Sequence, residues 1–265
     1  MSFIEETVVT VKTSVGLLVA LVSLTGCAQD RSFAPPVDNQ YIAVTVKVPD
    51  ELVAETMKVI YRSPVCKFVT YDARGRRVEL DGYKGVDMLP ERQGQSDLYQ
   101  VKLPIDGGGT CKWRLSNVTF GVTHGNPTRY GENVVSGAGG GVIVIFDDNA
   151  SPRGGADAEV DGDLVIRRDY YPWISESFLG GYIKRISIAG EGYFYKTYKA
   201  TTAREVYFEP QYHSKFELRS AGVKVKKEGN NPVYTYPDGT VYADKQWHPN
   251  FARLQAIRLK AEGKQ

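Results

Sequence analysis

A chain of 265 residues with 33 lysines and arginines against 31 aspartates and glutamates carries a net charge of only +2. Its basic residues form no stripe, and the densest groups, Arg74-Arg76-Arg77 and Lys224-Lys226-Lys227, are short and sit beside turns, so the composition gives no basis for a nucleic-acid partner. The length suffices for a large hydrophobic core, built as one β domain or two smaller ones.

The first element is an apolar stretch from Val15 to Leu24 that closes on Leu24-Thr25-Gly26-Cys27. About ten apolar residues suit the core of an export signal and fall well short of the roughly twenty needed to cross a bilayer. The closing run resembles the bacterial lipobox. That resemblance implies that residues 1–26 are a removable signal peptide and that Cys27 takes the lipid. Glu5 and Glu6 precede the single basic residue Lys12, a departure from the positive start of such segments, and a start nearer Val8 or Val9 would remove it. Two or more acyl chains would hold the protein to a membrane, each buried methylene contributing about 0.8 kcal/mol. Ala28, standing where an aspartate would favour inner-membrane retention, implies the periplasmic face of the outer membrane. Residues 27–40 then form a lipidated terminus and spacer, with Pro35-Pro36 and no apolar period, and the folded body is expected over 41–265.

Strict alternation at Tyr41 to Val48 predicts a half-buried strand with Ile42, Val44 and Val46 on one face. Pro49 to Glu55 is a candidate short helix. Met57 to Tyr61 predicts a strand, Pro64 a break, and Lys67 to Tyr71 a further strand ending at Asp72-Ala73-Arg74-Gly75. Val78 to Tyr83, Asp97 to Leu103, Lys112 to Leu115 and Val118 to Val122 continue the pattern. Residues 125–162 are rich in Gly, Asn and Asp around the apolar Val142-Ile143-Val144-Ile145-Phe146, a candidate central strand, and a subdomain boundary is expected in this region. Beyond it lie short β-type runs at Asp163 to Arg168, Tyr182 to Ile188, Tyr193 to Tyr198, Val206 to Phe208, Phe216 to Leu218, Val223 to Val225 and Val233 to Tyr236. Pro237-Asp238-Gly239-Thr240 predicts a hairpin turn, and Phe251 to Ala261 reads as helix or as a last strand. The fold class is therefore mainly β, a sandwich-like body or two β subdomains with few short helices.

With Cys27 assigned to lipid, Cys66 and Cys111 remain as an even pair in an oxidising compartment and are expected to form a disulfide. Closing a loop of about 45 residues stabilises by roughly 4 kcal/mol in the chain-entropy model. No cysteine or histidine pair has metal-ligand spacing, and the carboxylates Asp157, Glu159, Asp161 and Asp163 do not meet the spacing of a helix-flanked calcium loop. There is no Gly-x-Ser-x-Gly elbow, and the tract Gly137 to Gly141 precedes its strand where a phosphate loop would follow one. No metal, cofactor or catalytic set is assigned, and the chain is read as a binding protein. Its candidate partner-binding residues are Tyr171 and Trp173, because Pro172 interrupts the strand pattern and places them at a loop or edge, or else at a hinge packed on the first half.

The runs Val59-Ile60-Tyr61-Arg62-Ser63-Pro64-Val65-Cys66, Gln93-Gly94-Gln95-Ser96-Asp97-Leu98-Tyr99 and Gly108-Gly109-Thr110-Cys111-Lys112-Trp113-Arg114-Leu115 lie within residues 57–125. They resemble envelope lipoproteins of Gram-negative bacteria whose genes accompany type VI secretion lipase effectors. The resemblance implies immunity: a periplasmic protein that binds and occludes an incoming antibacterial phospholipase. The rival expectation is a structural or assembly lipoprotein that holds other envelope proteins.

Overall fold

The structure is a computed structural model describing residues 30–149, 155–192 and 195–264. Cys27 and the signal segment lie outside the described residues, as do Tyr193 and Phe194.

In chain order the strands are β1 (Tyr41–Lys47), β2 (Leu52–Ala54), β3 (Met57–Tyr71), β4 (Arg77–Met88), β5 (Glu91–Arg92), β6 (Leu98–Pro104), β7 (Asp106–Gly108), β8 (Trp113–His124) and β9 (Val134–Ser136). They continue with β10 (Gly140–Ile145), β11 (Ala158–Glu159), β12 (Leu164–Ser177), β13 (Ile183–Gly190), β14 (Tyr195–Lys199), β15 (Glu205–Tyr212), β16 (Leu218–Ala221), β17 (Val233–Thr235) and β18 (Val241–Ala243). Among the described residues there is one α-helix, α1 (Phe251–Ala261), and one 3-10 turn, Pro127–Tyr130, which precedes β9.

Two sheets result. The first runs β18-β17-β16-β12-β15-β1-β6-β5, with β13 along β12 and β9 along β13. The second runs β11-β14-β10-β8-β3-β4, with β2 and β7 also on β8. Alternation sends Ile42, Val44 and Val46 of the first sheet, and Val59, Val118 and Phe120 of the second, into one core. There the Phe120 and Phe208 rings meet edge to face, 5.9 Å apart. β10 is buried at every residue, as its unbroken apolar run requires of a strand covered on both faces.

The expected boundary near 125–162 is not present: each sheet takes strands from both sides of it. β1 pairs in parallel with β15 and antiparallel with β6, and β14 joins β8 through β10. The alternatives of one sandwich or two subdomains thus resolve to two sheets around a shared core. A satellite cluster is added on the opposite face of the first sheet, where Tyr171, Leu218, Tyr234 and Tyr236 pack with Leu254 of α1.

Several local expectations change. Pro49 to Glu55 contains strand β2, hydrogen-bonded to β8, and no helix. Pro64 does not end a strand, because a bulge between Ser63 and Phe68 absorbs it and β3 runs on. Trp113 to Leu115 and Val118 to Val122 belong to one continuous strand, with Lys112 left in the turn before it at φ +49°, and Val223 to Val225 is irregular. The hairpin at Asp238-Gly239 forms, with Gly239 at φ +83° and Tyr236 N–H donating to Thr240 O. The C-terminal segment is helical. Asn250 Oδ1 caps it by accepting from Arg253 N–H at 3.1 Å, and Leu254 and Arg258, one turn apart, face inward.

Candidate functional site

The two strand residues singled out as partner-binding are placed by β12. Tyr170 faces the sandwich core, so by alternation Tyr171 faces the opposite side, where α1 covers it completely. Tyr171 Oη donates to Gln255 Oε1 at 2.5 Å and accepts from Arg258 Nε at 2.9 Å. The same helix reaches Asp169, whose carboxylate takes His213 Nε2 at 2.5 Å, Gln255 Nε2 at 3.0 Å and Arg258 at 3.5 Å. Burial alone would raise the Asp169 pKa, but the hydrogen bonds from His213 and Gln255 and the charge of Arg258 hold it below the ordinary value. The Asp-His pair thus belongs to the fastening of α1 to the sheet. Tyr171 is a core residue and offers no surface to a partner, a correction to its expected role.

Trp173 is half-buried within β12, not in a loop. Its indole N–H donates to Ser220 Oγ at 2.8 Å. Pro172 is buried opposite Ile188, at the point where the partner on the other edge of β12 changes from β15 to β16. A missing N–H costs least where a ladder changes partner, so the proline continues the strand. Only a crevice of about 20 Å³ separates Trp173 from His248 and Pro249, room for one water at most. The exposed aromatic of this region is Trp247, on the loop before α1, with 69% of its surface free. A lone tryptophan between Lys245-Gln246 and His248 carries no periodic signal, so sequence reading passed over it.

The carboxylates at 157–163 serve turns. Asp163 accepts the N–H groups of Arg204 and Glu205, both at 2.8 Å, Asp157 accepts Thr197 N–H at 2.7 Å, and Asp161 accepts Thr202 Oγ1–H at 2.6 Å. Among the described residues no cluster of His, Cys, Asp and Glu is arranged to hold a metal ion.

A second face is built around the Cys66–Cys111 disulfide, which joins β3 to the turn between β7 and β8 with the Cα atoms 5.2 Å apart. Ser63 organises the bulge beside it: its hydroxyl donates to Cys111 O at 2.5 Å and accepts Cys66 N–H at 2.9 Å. The segment before β1, expected to be a free spacer, is docked here. Thr110 Oγ1 donates to Asp30 O, Trp113 Nε1 donates to Ser32 O at 3.1 Å, and Lys84 Nζ donates to Arg31 O at 2.9 Å. Ala34 N–H bonds Gly107 O at 3.0 Å, and the Phe33 ring packs 4.7 Å from that of Tyr61. The approach is so close that a Cβ on Gly108, which also sits at φ +59°, would lie 1.9 Å from Ala34 O. Most of these contacts use backbone carbonyls and a single aromatic, which leave no apolar period to read.

Beside this strap runs an open, mainly apolar groove of about 620 Å³, walled by Pro36, Pro64 and Val65 and rimmed by Lys112 and Arg114. Val65 is 52% exposed within it.

The class that this geometry defines is a two-sheet β sandwich with a docked N-terminal strap, a disulfide at the strap's base and a satellite helix. No family model, curated protein or solved structure matches the chain.

Proposed function

We propose that this protein is a lipid-anchored binding protein facing the periplasm from the outer membrane, and that it neutralises an antibacterial phospholipase by occlusion. The observation that carries the reading is local. Two of the three runs on which the resemblance rests, Val59–Cys66 and Gly108–Leu115, lie side by side on β3, β7 and β8 and are tied by the disulfide. The described polar clusters supply the complementary half of the argument, since Asp169 with His213, and Asp157, Asp161 and Asp163, are each engaged in holding elements together. A protein of this kind acts through shape and charge on its surface, and it consumes nothing. The anchor in this reading is Cys27. The assembly-lipoprotein alternative has no structural observation in its favour.

The test is a titration. Full-length protein, purified in detergent and added to the phospholipase encoded beside its own gene, should abolish hydrolysis with an end point at a fixed molar ratio. Hydrolysis unchanged at tenfold molar excess, with the protein folded by its melting transition, would overturn the immunity reading. In the same preparation Cys27→Ser should abolish incorporation of labelled palmitate, and retained label would overturn the anchor.

A further inference from the structure

We infer that the groove beside the N-terminal strap is a phospholipid-contacting surface, which seats the folded body directly on the membrane face that carries its anchor. This orientation rests on the proposed lipidation of Cys27, whereas the chemistry of the groove does not.

Three observations converge. The first is where the chain enters the fold. Thr110 and Trp113 hold Asp30 and Ser32 by their carbonyls, and Lys84 holds Arg31, so the strap is fixed from its first described residue. Three residue steps, through Gln29 and Ala28, take the chain from Asp30 to Cys27, and at no more than about 3.6 Å each they span roughly 11 Å. A lipid on Cys27 therefore leaves no freedom for the body to stand off, and the part of the surface around the strap must lie at headgroup depth. The second is apolar content at that place. Pro36, Pro64 and the half-exposed Val65 wall an open groove at which Gly108 and Gly109 place no side chain, a shape that admits hydrocarbon. The third is charge. Lys112 and Arg114 rim the groove and Arg31 is exposed beside it. Asp106 meets Arg114 only at 4.0 Å, an exposed and loose pair that leaves the guanidinium able to turn to a phosphate. Apolar residues that enter the interface, with lysine and arginine at its edge, match an anionic phospholipid, to whose surface basic side chains are drawn.

The experiment uses the full chain with Cys27→Ser, so that no acyl group contributes, and sedimentation with vesicles of phosphatidylethanolamine and phosphatidylglycerol or of phosphatidylcholine alone. The protein should sediment with the anionic vesicles, stay largely in solution with phosphatidylcholine, and be released by 0.5 M salt, an amount roughly sufficient to screen surface pairs. Val65→Asp with Lys112→Glu and Arg114→Glu should lower the bound fraction at least about tenfold, equivalent to roughly 1.4 kcal/mol. All three side chains are exposed, and a melting transition unchanged from the parent shows that the fold survives. If the triple variant melts lower, Lys112→Glu with Arg114→Glu carries the comparison. Parent protein that remains in the supernatant with anionic vesicles, or a variant that binds as well as the parent, overturns the inference. Binding of a protein by the same residues without any vesicle binding overturns it too. Vesicle binding by this chain alongside failed palmitate labelling of the unsubstituted protein supports the groove and removes only the anchor.

Discussion

Trp173 and Trp247 show how much a single residue's surroundings decide. Both are large and amphipathic, and in sequence both stand next to a proline or two residues from one. Yet Trp173 is held in a strand by Ser220 and by the cluster beneath α1, whereas Trp247 is largely free. Replacing Trp173 with alanine should therefore lower stability by about 3 kcal/mol, through lost packing and an orphaned hydroxyl. Replacing Trp247 with alanine should change it by no more than about 0.5 kcal/mol. Urea denaturation of the two variants checks this, and equal midpoints would contradict the assignment of Trp173 to the core. The sequence marked Tyr171-Pro172-Trp173 as unusual, correctly, but read the proline as an interruption. Strand partners decide that question, and a partner switch between β15 and β16 has no local signature.

Elements with a clean period were legible. β1 and β10 fall within a residue or two of their expected spans because each buries one or both faces fully, β6 does so through its alternation of Tyr99, Val101 and Leu103 against polar neighbours, and the Asp238-Gly239 turn announces its own φ requirement. The misread elements are those held by contacts that a period does not encode. β2 is a strand because β8 offers it an edge, and the strap is ordered because Thr110, Trp113 and Lys84 donate to its carbonyls while Gly107 of β7 accepts its Ala34 N–H. The disulfide followed from counting cysteines, while the groove beside it depended on the docked strap and was invisible. The strap also makes a prediction of its own. Phe33→Ala removes the ring that lies against Tyr61 and should cost about 2 to 3 kcal/mol, a fall of roughly 4 to 10 °C in melting temperature for a body of this size. An unchanged melting temperature would mean that residues 30–40 are the free spacer of the sequence expectation.

At the scale of the molecule, His124 joins the two sheets. Its Nε2 lies 2.8 Å from Tyr212 Oη on β15, which in turn lies 3.2 Å from Tyr130 Oη, while Nδ1 is buried without a partner. Burial lowers its pKa from 6.5 to about 4, since a proton on Nδ1 would place charge and an unmatched donor in the core. With the folded value below the unfolded one, the unfolded chain takes up the proton first. Stability is then highest above pH 6.5 and declines as pH falls toward 4, by on the order of 3 kcal/mol. Denaturant unfolding across that window should show this slope for the parent and lose it in His124→Gln, and parallel slopes would exclude His124 as the source. No single sequence feature announces the cluster, because Tyr212 lies 88 residues from His124 and 82 from Tyr130.

The parallel pairing of Ala43 with Glu205 through Val46 with Phe208 has a consequence for biogenesis. A polypeptide that leaves a ribosome or a translocation pore amino end first presents β1 early and its partner β15 only when most of the chain has followed. Until then the inner row Ile42, Val44, Val46 has β6 on one edge and nothing on the other, and the first sheet lacks its middle. Long-range closure of this kind is slow and occurs late. The nascent chain therefore emerges with an unfinished apolar edge, open to non-native pairing until the carboxyl-terminal quarter arrives.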